Sequence, residues 1–380
     1  MNKEIKTDIS VVGAGVTGLM LTKKLTDLGY KVALVEQQGI VGNGPSTKNE
    51  GWLHRGTYHA TSIQDEAQAM QVANRCIYGH EQIRSFAPEA IEDLDRATYA
   101  VVSNDETAQK ATDRWEKAGI LYRPVPLGKF VQANPEVNIT KITDAFQVGD
   151  LSINTRILYQ KLLTQSEKGG AKIFLKSKFI PEDGEKATLD QGNGDKINLH
   201  SDLFIVTAGY GIKDTFRQVT GQDLPVRYWK SHLLVFPRLT KSNIFSINPG
   251  EAALFNHGSK SVVGQHEDAV TVSNPNLDII PDRAVCVFDA TQRLIPSANQ
   301  HEKAYMAIAC IKPDVVQSVE QARTLDISVF SPVENYIFAL PGKMTEAPFV
   351  ADQIVQMVFN RNSETTARVA FRPCDTYELI

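Results

Sequence analysis

Residues 8–36 (DISVVGAGVTGLMLTKKLTDLGYKVALVE) constrain the fold more tightly than any other stretch of the 380-residue chain. Ile9, Val11 and Val12 make a short apolar strand, and Gly13, Gly15 and Gly18 follow in a G-x-G-x-x-G turn where that strand should give way to a helix. The first glycine permits the tight turn, the second lets a pyrophosphate approach the backbone without meeting a Cβ, and the third lets the helix lie close to the sheet. The helix start then offers free N–H groups and a positive dipole end to phosphates. Gly18, Leu21, Leu25 and Leu28 recur at three- and four-residue spacing, which predicts the sheet-facing stripe, and Gly29 predicts its end. KVALV at 31–35 reads as the second strand, with Glu36 eighteen residues past Gly18. A carboxylate there accepts both ribose hydroxyls of an adenosine and repels a 2′-phosphate. A glycine turn alone would be an ordinary βαβ connection; with strand, helix, second strand and acid in register it predicts a dinucleotide site. FAD and NAD both fit at this point.

A chain of 380 residues is too long for one ordinary core, so two domains are expected. Hydrophobic residues at 42% and charged ones at 22% are the balance of a soluble globular protein. The net charge of −4 argues against a nucleic-acid partner, which calls for a basic excess. No segment approaches the ~18 uninterrupted apolar residues of a membrane span. The amino terminus runs from MNKEIKTD straight into the first strand, so its apolar run reads as fold and not as a signal peptide. A cytoplasmic location is the expectation. Cys76, Cys286, Cys310 and Cys374 lie far apart, with no C-x-x-C pair and no histidine at zinc-ligand spacing. They predict buried small hydrophobes or free thiols, with neither a disulfide framework nor a metal site.

Residues 37–57 (QQGIVGNGPSTKNEGWLHRGT) are rich in Gly, Ser, Thr and Asn, as suits a loop with exposed backbone donors beside the ribose site. Ser46, Thr47, Gly51, His54 and Gly56 match S-[ST]-x-x-[SG]-G-x-x-H-x-G. In this box the chain resembles the FAD-dependent oxidoreductases of the D-amino-acid oxidase superfamily. The His-x-Gly form is most similar to the L-2-hydroxyglutarate and glycerol-3-phosphate dehydrogenase branches. The resemblance implies that Ser46 and Thr47 wrap the pyrophosphate and that His54 lies beside the flavin. Glu50 departs from the family's small residue, and Trp52 is bulky where aliphatics are common.

Further along, residues 62–86 have helical composition. Residues 88–138 mix short strands such as 99–102, a helix near 106–118 and the turn-rich RPVPLGKF. Residues 150–170 resemble the helical segment by which such chains return to the nucleotide domain, and 171–179 is a strand. After Asp202 the apolar run 203–206 ends in Thr207, Ala208 and Gly209, small residues that leave space for a ligand at the top of a buried parallel strand. This resembles the family's box that packs under FAD. Residues 225–237 alternate like a sheet strand, on which Tyr228, Lys230 and His232 either face a substrate or lie on a wet face. SKSVVGQ at 259–265 is another strand, and His266 after it reads as a loop histidine. At 309–313 (ACIKP) the family's G-x-R-P box would supply a carboxylate-gripping arginine; Lys312 stands at the arginine position and Cys310 at the glycine. Lysine keeps the charge but loses the two-pronged geometry. The same segment resembles the sarcosine oxidase branch, where a nearby cysteine binds flavin covalently, which makes Cys310 a candidate for that bond. Residues 335–357 predict strand, turn and helix, with Gly342, Lys343 and Met344 in the turn, Thr345 as N-cap and Pro348 in the first helical turn. This resembles the family's closing motif beside flavin N1 and the C2 carbonyl, where a helix start stabilises negative charge. Lys343 either adds to that or is simply solvated.

The four boxes together favour FAD over NAD. The implied fold is α/β: a doubly wound FAD-binding, glutathione-reductase-like Rossmann domain (1–85, 146–222 and 316–380) with an inserted α+β mixed-sheet substrate domain (86–145 and 223–315). The implied cofactor set is Gly13, Gly15, Gly18, Glu36, Ser46, Thr47, Thr207, Ala208, Gly209, Gly342, Lys343, Met344 and Thr345. His54 and Lys312 are the candidate catalytic residues, with no metal. His54 serves either as a base for an alcohol substrate or in holding the flavin. The expected reaction removes a hydride from a carbon bearing a hydroxyl or amine, next to a carboxylate, to flavin N5. Its substrate would be a small anion, a 2-hydroxy acid or an amino acid, with oxygen, a quinone or a carrier protein as electron acceptor. An amine oxidase using oxygen, an NAD-dependent dehydrogenase and a non-catalytic FAD-binding subunit are the competing readings.

Overall fold

A computed structural model describes residues 3–265, 269–316 and 325–365. His266 and Cys374 lie outside the described residues. An eight-stranded sheet has a parallel centre in which Lys3–Val12 lies between Val32–Val35 and Lys196–Val206, and the latter pairs in turn with Tyr336–Leu340. VALV and YIFAL are buried at every position, as expected of strands covered on both faces. Their registers align Val12 with Val35 and with Val206, so the strand carboxyl ends stop at one level. Ligands of doubly wound sheets bind at that edge.

The helix Val16–Asp27 covers one face, packed with Thr155–Lys168 and Ala347–Thr365. Leu21, Leu25 and Ile354 are sealed within that layer. Leu28 is a correction: the helix ends before it, Leu28 is the C-cap, and 48% of it is exposed. Phe204, Phe216 and Phe338 fill the other face.

The second sheet has nine strands, antiparallel except where Asn243–Ser246 meets Thr98–Val102. Its long members, Val226–Pro237 and Met306–Val315, pair along ten residues, and Pro281–Leu294 packs on the outer face through Val287 and Phe288. The RPVPLGKF stretch is more regular than turn-rich composition suggests. Tyr122–Val125 is an edge strand, where Pro124 needs no donor, and Leu127–Ala133 is a short helix. A three-stranded sheet, Trp52–Leu53, Leu151–Ile153 and Ile91–Glu92, ties the second box to the passage between the larger sheets. Among the described residues no helix is long and apolar enough to cross a membrane, and no group of acidic, histidine or cysteine side chains could hold a metal ion.

Candidate cofactor and substrate cavity

One cavity of about 1350 Å³ runs from the carboxyl ends of the parallel strands to the face of the nine-stranded sheet. Small-ligand clefts hold about 300–1,000 Å³, so this one has room for a dinucleotide and a substrate together. Gly13 lines it at φ +101°, and a Cβ there would strike the Thr207 carbonyl at 2.7 Å. Gly18 stands behind the turn; a Cβ on it would come 1.9 Å from the Gly13 oxygen and 2.7 Å from Thr207 Oγ1. Thr207 makes the reciprocal contact, its hydroxyl donating to the Gly13 carbonyl at 2.9 Å. Two boxes nearly two hundred residues apart thus lock the same turn.

Gly15 faces the cavity with Ser46 across from it, and the Ser46 hydroxyl accepts the Val16 N–H at 3.1 Å. Glu36 accepts the N–H groups of Ala14 (2.9 Å) and Gln38 (2.8 Å), holding its carboxylate at the cavity edge. Thr47 is not at the cavity surface; its hydroxyl donates to the Gly42 carbonyl at 2.6 Å and braces the loop from behind. Ala208, Gly209, Gly342, Lys343 and Met344 line the cavity. Thr345 is a correction to the capping reading. The last helix begins at Ala347, and the Thr345 hydroxyl instead accepts the His54 N–H at 3.2 Å. The closing turn is thereby tied to the second box.

His54 lines the cavity in a ladder of rings, its centroid 4.1 Å from Trp52 and 4.5 Å from His59. Its strand is anchored by Asp150, fully buried, which accepts Trp52 Nε1 (2.7 Å), the Arg55 N–H (3.0 Å) and the Thr57 hydroxyl. Burial raises the Asp150 carboxyl above the ordinary aspartate value, against those three donors.

On the opposite wall Lys312 pairs with Trp229 and Cys310 with Ser231, two registers on one face of the sheet. Lys312, Trp229 and Ser231 line the cavity; Cys310, on the same face but at 0% exposure, does not reach its surface. Tyr228, Lys230 and His232 occupy neither place read for them. Pleating turns them to the other face, where they are buried. Lys230, 2% exposed, donates to Asn276 Oδ1 (2.5 Å) and the Asp278 carbonyl (2.9 Å), and His232 Nε2 accepts the Ile280 N–H at 3.1 Å.

Over residues 8–356 the chain matches the family model for FAD dependent oxidoreductases, DAO. It belongs to that family. Over 60 residues the chain is 40% identical to a probable FAD-dependent oxidoreductase of Pseudomonas aeruginosa, a match covering 16% of this chain and 15% of that protein. The whole chain is similar in fold to glycine oxidase from Geobacillus kaustophilus (TM-score 0.72, 16% identity, 93% of this chain and 95% of that one). It is also similar to L-α-glycerophosphate oxidase from Mycoplasma pneumoniae, solved with FAD bound (0.74, 16%, 93% and 95%). L-proline dehydrogenase from P. horikoshii is a third (0.73, 14%, 95% and 95%). The expected fold, an FAD-binding doubly wound domain joined to a mixed-sheet one, is thus that of the oxidoreductase.

The residues present fit FAD. A Cβ at position 15 would intrude to within 3.1 Å of Ser46 Oγ, and Thr17 Oγ1, buried on the cavity wall, has no protein partner. Reading the sequence missed His59, which follows His54 by five residues in HRGTYH, and the Trp229–Ser231 face. The histidine pair was visible as composition. The face was not, because alternation states which residues share a side and not which side is inward.

Proposed function

We propose that this oxidoreductase oxidises a small carboxylate-bearing substrate at a carbon carrying a hydroxyl or amine. The observation that carries this is a single cavity in which the dinucleotide turn, the His54 box, the closing turn and Lys312 all meet. FAD, when bound, supplies the two-electron acceptor at its N5. The eight-stranded sheet would hold the cofactor and the nine-stranded sheet would face the substrate. The Lys312 ammonium anchors the carboxylate, and Trp229 beside it supplies an apolar wall. His54, with its backbone fixed by Thr345 and its strand by Asp150, is held where it can take an alcohol's proton. An amine can lose its proton to solvent and needs no such base, so the histidine tips the reading towards a 2-hydroxy acid, with amino acids next. The relatives named for glycine, proline and glycerophosphate span both chemistries.

The test is anaerobic bleaching of the yellow holoprotein against a panel of 2-hydroxy acids, amino acids and amines. Rapid bleaching by a carboxylate-bearing member, and not by its decarboxylated analogue, is the expected result. Failure of every carboxylate, or equal reaction of the analogues, would sink the proposal.

A further inference from the structure

Behind the closing turn lies a buried charged cluster with no part in the proposed reaction. Glu346 is 0% exposed, and its Oε1 accepts Arg75 Nε at 2.7 Å. Its Oε2 is buried with no hydrogen-bond partner. That second oxygen lies beside the cavity-lining Gly342: a Cβ there would come within 2.6 Å of it and within 2.2 Å of the Leu325 carbonyl oxygen, both on the side a side chain would take. A carboxyl oxygen and a backbone carbonyl thus close off the same side of the turn that lines the cavity. Arg75 also reaches Asp326 Oδ1 at 3.3 Å, and the helix carrying Arg75 approaches so closely that a Cβ on Gly79 would meet the Thr345 carbonyl at 1.7 Å.

We propose that Glu346 is a positioning residue whose ion pair with Arg75 sets the 341–345 turn against the flavin ring, and whose charge tunes how readily the bound flavin accepts electrons. The inference rests on assigning that turn to the flavin ring. The groups facing Glu346 are Arg75 and Cys76 from the helix Glu66–Phe86, Lys343 from the turn, and Asp326 from the segment before Ser328–Phe330. Burial pushes the Glu346 carboxyl up to about 7, opposed by Arg75 and Lys343 and aided by Asp326. Neutral at lower pH, the carboxyl does not oppose negative charge arriving on the flavin; ionised at higher pH, it does. By reciprocity, reduction of the flavin must raise Glu346's affinity for a proton by the same factor.

The experiment compares wild type and Glu346→Gln, both as FAD holoproteins, by spectroelectrochemical titration between pH 5.5 and 8.5. The glutamine mimics the neutral acid. The two potentials should coincide at the acid end, and above pH 7 the variant should be easier to reduce, by about tenfold in the reduction equilibrium constant. A purely structural Glu346 would lower the melting temperature and leave both lines parallel. Parallel lines with normal FAD binding overturn this proposal and leave the cofactor assignment intact; loss of FAD from wild type overturns both. Should the variant fail to fold, wild type alone decides. Reduction at pH 7 should produce a new carboxylic-acid C=O band in the infrared difference spectrum, and its absence overturns the proposal.

Discussion

The eight-stranded and nine-stranded sheets meet the cavity on different terms. At the first, the lining is made of backbone and small residues held by one another: Gly13 under Thr207, Val16 on Ser46, Ala14 on Glu36. At the second, it is made of side chains from alternate positions of two long strands, Trp229, Ser231 and Lys312. A cofactor shared across a family can be recognised by backbone geometry, which few substitutions can alter without breaking the turn. A substrate is recognised by side chains, and those change without disturbing the ladder that carries them.

The contrast breaks most readily at Gly18. With a Cβ already meeting Gly13 O at 1.9 Å, Gly18→Val must open the turn against the helix. Overpacking at this level is worth ~3 kcal/mol, so FAD affinity, followed by flavin fluorescence, should fall by about 100-fold or more. Gly128→Ala, in an exposed turn of helix with nothing within 4 Å, is the control and should bind FAD normally. Equal binding by both would mean that the glycine turn does not govern the cofactor.

That asymmetry also explains what could be read from the chain. Gly13, Gly15, Gly18 and Glu36 lie within one βαβ unit, so local spacing was enough to place them. The end of the Lys196–Val206 strand was legible for a similar reason: an apolar run at 203–206 followed by the small residues Thr207, Ala208 and Gly209 suits a buried parallel strand with a ligand at its top. Asp150 and Glu346 were not legible, because what marks them is burial among donors from other segments, and nothing adjacent in sequence announces it. Lys230 and His232 were read onto the wrong surroundings since helix Pro281–Leu294 and its lead-in cover that face.

On the substrate side the largest effect should come from the histidine ladder. A general base contributes about 10²–10⁴-fold, so His54→Asn should depress kcat by that order for a hydroxy acid and by much less for an amine. His59→Asn separates the two rings. If His54 is the base and His59 only packs on it, the loss should be clearly smaller and its pH profile unchanged. Identical losses for alcohol and amine would remove His54 from proton transfer.

A pH test probes the buried face of the helix Glu66–Phe86. Burial, helped by the charge of Arg55, pushes His80 down to about 4. The unfolded chain, with an ordinary histidine near 6.5, therefore binds a proton more readily than the fold does. Stability is complete above pH 6.5 and drains as pH falls toward 4, by up to ~3 kcal/mol. Chemical denaturation at pH 7 and pH 4.5 should show this loss, reduced in His80→Gln. If the two proteins keep the same pH dependence, another group is responsible.

The smallest expected effect is at Lys312, and it tests the two-sided picture most directly. Removing the ammonium with Lys312→Met keeps the apolar stem and leaves the strand pairing with Trp229 untouched. A charged contact to a carboxylate is worth ~1.5–3 kcal/mol, so KM for the anionic substrate should rise about 10- to 100-fold. FAD affinity should not move, because the residues proposed to hold the cofactor lie on the other sheet's turns. A decarboxylated analogue should see wild type and variant as equals. If KM is unchanged, Lys312 lines the cavity without reading the substrate, and selectivity must come from other wall residues such as Trp229 or Glu50. If FAD affinity falls instead, the lysine belongs to the cofactor, and the boundary between the two halves of the cavity runs nearer to the antiparallel sheet.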